Sequence, residues 1–227
     1  MADDSPAPES RRPSRARRVL ATALRRVQTA ARRLPAFARA LDRVSALAGA
    51  IAAWALVPMI LLAVAAATTA ITDRHLGTSW STNALIEGQW YLFAVVFMLG
   101  APIALAKGAH VRVDALFGRL GPRTRHWIDL VGGLLFLLPF AAFGVYESLD
   151  FVERSWSIRE ASPDPGGLPR YPIKTLIPVA FALLFLQGLS QVIKHGAALA
   201  GLPEDELGLP PSHTDHLDGP RDGEFAG

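Results

Sequence analysis

The chain has 227 residues, of which 51% are hydrophobic and 19% charged, with no cysteine and a mean hydropathy of +0.27. Such apolar content exceeds that of a soluble domain, and the lack of cysteine excludes a disulfide framework, a thiolate nucleophile and Cys-ligated zinc or iron–sulfur sites. A net charge of +3 could suit a nucleic-acid binder, but eleven arginines crowd into residues 1–43 instead of forming a folded basic face, so no nucleic-acid partner is expected.

Residues 1–43 hold no apolar stretch of signal-peptide type, so no cleaved leader is expected. Leu20, Leu24, Val27, Ala31, Leu34, Phe37, Leu41 and Val44 recur at steps of four and three, with Arg25, Arg26, Arg32 and Arg33 off that stripe. The pattern predicts a basic amphipathic helix on the inner leaflet, broken in two at Pro35. A mitochondrial transit peptide is the competing reading, and Asp3, Asp4 and Glu9 speak against it.

Four uncharged runs follow, at 44–72, 88–106, 130–146 and 175–193. A helix rises 1.5 Å per residue, so roughly 20 residues cross a ~30 Å hydrocarbon core. The second and fourth runs fit directly. The third gains length from Trp127 and Ile128, and the first is long enough to tilt. Each run holds a proline (Pro58, Pro102, Pro139, Pro178), which is tolerated in membrane helices and predicts local kinks.

Between the second and third runs, Val113, Leu116, Phe117 and Leu120 follow helical spacing with Arg112 and Arg119 elsewhere on the turn, which predicts a short interfacial helix. Pro122 suits the first position of the next helix. Past the third run, Val145, Leu149, Val152 and Trp156 extend the helix beyond the membrane, and the proline-rich stretch 162–172 predicts an extended loop. The expected fold is all-α, with four transmembrane helices and interfacial amphipathic helices. It divides into a basic segment at 1–43, a membrane domain at 44–199 and a disordered acidic tail at 200–227.

Orientation follows from the Lys and Arg of the flanking segments. Residues 1–43 hold eleven, 73–87 only Arg74, 107–129 five, and 147–174 four against five acids. This alternation predicts both ends in the cytoplasm.

No run contains an ionisable residue, and the six histidines lie outside all of them, so paired axial haem ligands at membrane depth are not expected. His110 and Asp114 stand one helical turn apart and could be imagined as a metal site or general base, but a solvated or capping pair is the simpler reading. Glu160 could serve recognition in the outer loop, while Gln187, Ser190 and Gln191 suit interhelical hydrogen bonds. No phosphate-binding loop and no internal repeat occur. Neither catalytic residues nor cofactor or metal ligands are assigned in this chain.

Several segments taken together resemble the small membrane subunit, DctQ-like, of tripartite ATP-independent periplasmic (TRAP) transporters. They are Glu87, Gly100-Ala101, Ala109-His110-Val111-Arg112-Val113-Asp114 and Leu120-Gly121-Pro122-Arg123, then Trp156 to Ser162 including Glu160, Gly167-Leu168-Pro169, Pro172-Ile173-Lys174 and Leu186-Gln187-Gly188. The resemblance spans residues 46–194. It implies a non-enzymatic scaffold subunit in a bacterial inner membrane, steadying a large membrane subunit that carries the sodium and substrate sites. A periplasmic solute-binding protein would deliver an organic acid. Glu87, His110, Arg112, Asp114, Glu160, Pro169 and Gln187 are then the family-motif residues and candidates for subunit contact. Two other classes stay open: a subunit or anchor of a redox or other membrane enzyme, and a stand-alone small transporter.

Overall fold

The computed structural model describes residues 15–76, 82–108 and 120–209, with side chains from residue 36 onward in the first stretch. The helices are α1 (Arg15–Leu76), α2 (Asn83–Ala106), α3 (Pro122–Gly132), α4 (Leu138–Ser157), α5 (Tyr171–Lys174), α6 (Leu176–Leu199) and α7 (Glu204–Leu207). A π-helical turn, Gly133–Leu137, joins α3 to α4. The chain is all-α, and four stretches are long and apolar enough to cross a membrane: Ala36–Leu76, Asn83–Ala106, Pro122–Ser157 and Tyr171–Leu199.

The first helix corrects one expectation. Pro35 does not divide it, and the basic segment from Arg15 continues into the first span as one rod of 62 residues. At 1.5 Å per residue such a rod is about 90 Å long, so much of it lies beyond any single hydrocarbon layer. The interfacial helix predicted around Val113 to Leu120 falls mainly on residues outside those described.

Pro122 opens α3 at its first turn, as the sequence predicts, with Gly121 O accepting the amides of Thr124 and Arg125. Pro139 has no amide to give the turn before it, and the third span meets this with the π turn, in which Leu138 N–H bonds Gly133 O five residues back. Among the described residues no such turn accompanies the other prolines. Pro102 sits buried inside α2.

Helix α6 is the centre of the bundle, touching α1, α2, α3, the π turn and α4. Without a hydrophobic drive between helices in lipid, close packing depends on small residues. Helix α1 accordingly buries Ala38, Leu41, Ser45, Ala48, Ala52 and Ala55, at steps of three and four. Ala48 and Ala52 meet Leu99 of α2, with Val95, Leu176 and Leu183 around them. On the other side of α6, Gly144 lets Phe181 approach so closely that a Cβ there would lie 2.5 Å from the ring.

Most of the apolar surface points outward. Only 11–22% of each span's most apolar stretch is buried within the chain, and Trp54, Phe97 and Phe136 are exposed. In a membrane these faces meet lipid or another protein.

The expected loop is present but compact, and the start of the expected tail is folded. The loop 158–170 turns back on itself through Glu160 N–H to Ser155 O, Gly167 N–H to Asp164 O and Arg170 N–H to Glu160 O. After α6 the chain turns at Gly201 (φ 91°) into α7, whose Leu207 is fully buried, and leaves through Gly208 (φ 63°). Residues 210–227 of the expected acidic tail lie outside those described.

Candidate functional site

Polar side chains gather at the two ends of the bundle. At the end formed by the start of α2, the end of α4 and the start of α6, Glu87 is the hub. It sits in the second turn of α2 with 4% of its surface exposed. Its carboxylate accepts hydrogen bonds from the Ser162 hydroxyl and the Leu168 amide, with the Arg170 guanidinium 3.9 Å away. Tyr91, one turn along, donates to the carbonyls of Leu168 and Pro169 at 3.3 Å, and Asn83 donates to Pro165 O at 3.0 Å. Helix α2 thus holds the whole loop from 162 to 170. Gly167 is required by the closeness of the contact, since a Cβ there would lie 2.5 Å from Ser162.

Glu160 forms a second hub beside the first. It accepts from Ser155 at 2.8 Å and pairs with Lys174, whose ammonium also stands 4.1 Å from the Phe151 ring centre. The Lys174 hydrogen bond, helped by that of Ser155, holds the Glu160 carboxyl below the usual carboxylate range. Trp156 Nε1 donates to Thr175 Oγ1 at 2.8 Å, and the indole packs edge-on against Tyr171.

At the other end Gln187 of α6 is fully buried. Its Oε1 accepts from Ser45 at 2.6 Å, and its Nε2 donates to Asp42 Oδ1 at 3.0 Å. Ser190 donates to the same Asp42 oxygen at 2.8 Å, and Lys194 Nζ lies 2.6 Å from Asp42 Oδ2. Gln191 reaches the last carbonyls of α2, at Leu105 and Ala106. These four α6 residues follow i, i+3, i+4 and i+7, so they share the face turned toward α1 and α2.

The same end seats the C-terminal segment. Lys194 also donates to Gly208 O at 3.4 Å, and Arg39 to Glu206 O at 3.2 Å. His126 of α3 and His195 of α6 face each other at 3.0 Å, with Glu204 and Asp129 beyond them. The two histidines, which lie outside the uncharged runs, therefore belong to the helices that form the third and fourth spans.

Of the residues singled out in the sequence, Glu87, Glu160 and Pro169 meet at one end and Gln187 lies at the other. His110, Arg112 and Asp114 lie outside the described residues. The polar groups of Glu87 and Gln187 bond within the chain, and Glu160 is held by Lys174 and Ser155. Thr68 and Thr69 donate to Val64 O and Ala65 O of their own helix, both at 2.8 Å.

Sequence reasoning gave no site role to Asp42, Ser45, Tyr91, Arg170 and Lys194, and held Lys174 only as part of a family segment. One signal was available: Gln187, Ser190, Gln191 and Lys194 form a polar stripe on an otherwise apolar helix. The uncharged runs are real, but the helices continue past them and carry their flanking charges inward. Among described residues every buried side-chain nitrogen or oxygen has a partner. An open groove of about 410 Å³ between α2 and α6 is lined by residues such as Val95, Ile173 and Val179, and suits hydrocarbon better than a polar solute.

Residues 63–196 match the family described as tripartite ATP-independent periplasmic transporters, DctQ component. The chain is also similar to the isethionate TRAP transporter permease protein DctMQ of Oleidesulfovibrio alaskensis, with 27% identity over 119 residues. That match covers 52% of this chain and 18% of the relative, so the chain spans a small part of that protein's length. No solved structure matches.

Proposed function

Because the chain belongs to the DctQ component family of tripartite ATP-independent periplasmic transporters, we propose that it is the small membrane subunit of such a transporter and acts as a helical scaffold. The family is a transporter component and not an enzyme. On this reading a large membrane subunit carries the coupling-ion and solute sites, and a periplasmic binding protein delivers the solute. Sodium as the coupling ion and an organic acid as the solute are the proposed chemistry. The solute in that relative's name, isethionate, is an organic acid and supports that class.

The observation that carries the scaffold reading is the pairing of the charges. Among the described residues Glu87 and Lys194 are buried charged groups, and each is bonded within the chain, Lys194 to the partly exposed Asp42. The Asp42–Lys194 pair joins α1 to α6 and Glu87 pins the 162–170 loop to α2, while the outward faces stay apolar. The arginine distribution supports a multi-pass inner-membrane protein with both ends in the cytoplasm.

The test is purification from native membranes followed by uptake in proteoliposomes. A large multi-span protein should co-purify, and uptake should require both chains together with the binding protein. Solute transport by this chain alone would overturn the scaffold reading.

A further inference from the structure

His126, near the start of α3, and His195, near the end of α6, approach through their Nδ1 atoms at 3.0 Å. Their ring centroids are 5.3 Å apart, so the two nitrogens lie close to the line between the rings, as in an N–H···N hydrogen bond. A zinc ion on that line would need about 4 Å, twice a Zn–N bond of ~2.0–2.1 Å. Among the described residues, no three metal-binding side chains converge. On the outer sides of the pair, His126 Nε2 is 2.9 Å from Glu204 Oε1 and His195 Nε2 is 3.7 Å from Asp129 Oδ2.

Proton counting constrains this arrangement. A neutral imidazole has one N–H and one bare nitrogen, while an imidazolium has two N–H groups. The contact therefore holds when one of the two facing nitrogens carries a proton, and two protons would point two donors at each other. We propose that the His126–His195 pair is a proton-operated switch between the third and fourth spans, closed while at least one ring is neutral and opened when both become imidazolium.

The surroundings give the open state somewhere to go. Helix α3 places Arg125 and Asp129 near the pair, with Arg125 also bonding Leu120 O. Helix α6 contributes Lys194, neutralised by Asp42 of α1. Helix α7 contributes Glu204, followed by Asp205 and Glu206, and Arg39 of α1 bonds Glu206 O. As pH falls, the His126 imidazolium keeps Glu204 and the His195 imidazolium turns to Asp129, so neither charge is left unpaired. The switch makes the seating of the third span on the fourth, and of α7 beside them, depend on the proton concentration at that end of the bundle.

Solution NMR of the full chain in micelles tests this directly. The changes His75→Gln, His110→Gln, His213→Gln and His216→Gln leave only the pair, which is then labelled with ¹⁵N. A ¹⁵N–¹⁵N coupling across the hydrogen bond should be present at pH 7.5. The coupled population should fall by about tenfold or more by pH 5.0 and recover on return. Absence of the coupling at pH 7.5, its persistence at pH 5.0, or a loss accompanied by loss of helix content would each overturn the switch.

Discussion

Lys194 Nζ and Asp42 Oδ2 stand 2.6 Å apart, with only 2% of the lysine side chain exposed. The other carboxylate oxygen of Asp42 takes hydrogen bonds from Gln187 and Ser190, so the aspartate joins α1 to α6 through three donors. A buried pair is costly to split, because removing one partner strands the other charge.

Lys194→Met should therefore destabilise the chain by about 3 kcal/mol, the lower end for a broken buried pair because Asp42 is partly exposed. Asp42→Asn combined with Lys194→Met should recover much of that loss. Thermal unfolding of the single and double variants in detergent checks both statements; additive losses would mean the pair is not coupled.

Glu87→Ala removes the acceptor for Ser162 and Leu168 and should free the loop 162–170 from α2. Two lost hydrogen bonds to a charged group, at about 1.5–3 kcal/mol each, predict at least tenfold faster tryptic cleavage at Arg159 or Arg170. Unchanged cleavage would show that Tyr91 and Asn83 suffice to hold the loop.

The loop's second anchor has a defined pH response. Lys174 and Ser155 depress the Glu160 carboxyl, so its stabilising contribution is complete above the ordinary value of about 4.3 and is lost as pH falls through the lower folded value. Protection of the Arg170 amide, which bonds Glu160 O at 2.8 Å, should then be the same at pH 8 and pH 5 after correction for intrinsic exchange. Lys174→Met should move the loss of protection upward toward the ordinary carboxylate range.

Gln187→Ala and Ser190→Ala should lower the amount of assembled transporter while leaving sodium dependence and apparent solute affinity per complex unchanged. Thr68→Ala and Thr69→Ala should cost less, within about 0.5 kcal/mol, because those hydroxyls return to their own helix. Uptake in proteoliposomes normalised to complex measures both. A selective loss of sodium dependence would place an ion site in this subunit.

Orientation rests on the arginine asymmetry. Reporters placed at the N-terminus and after Gly201 should be cytoplasmic, and those after Gly77 and Gly166 periplasmic. A periplasmic N-terminus would reverse the predicted orientation.

The sequence by itself determined the membrane class, the four spans and the helix start at Pro122. Each of these follows from local quantities: the length of an uncharged run against the thickness of hydrocarbon, and the missing amide of a proline. Periodicity also carried the third helix beyond its uncharged run as far as Trp156, one residue short of its end at Ser157. The partners of the flanking charges were a different matter. Gln187 and Asp42 are separated by 145 positions, and Tyr91 and Leu168 by 77. No local pattern says which end of which helix will meet which, so a charge beside an apolar run reads as a solvated boundary. Only the antiparallel stacking of the helices around α6 brought those boundary residues together and turned them inward, because in a bundle so lightly buried the polar groups at the ends must satisfy one another.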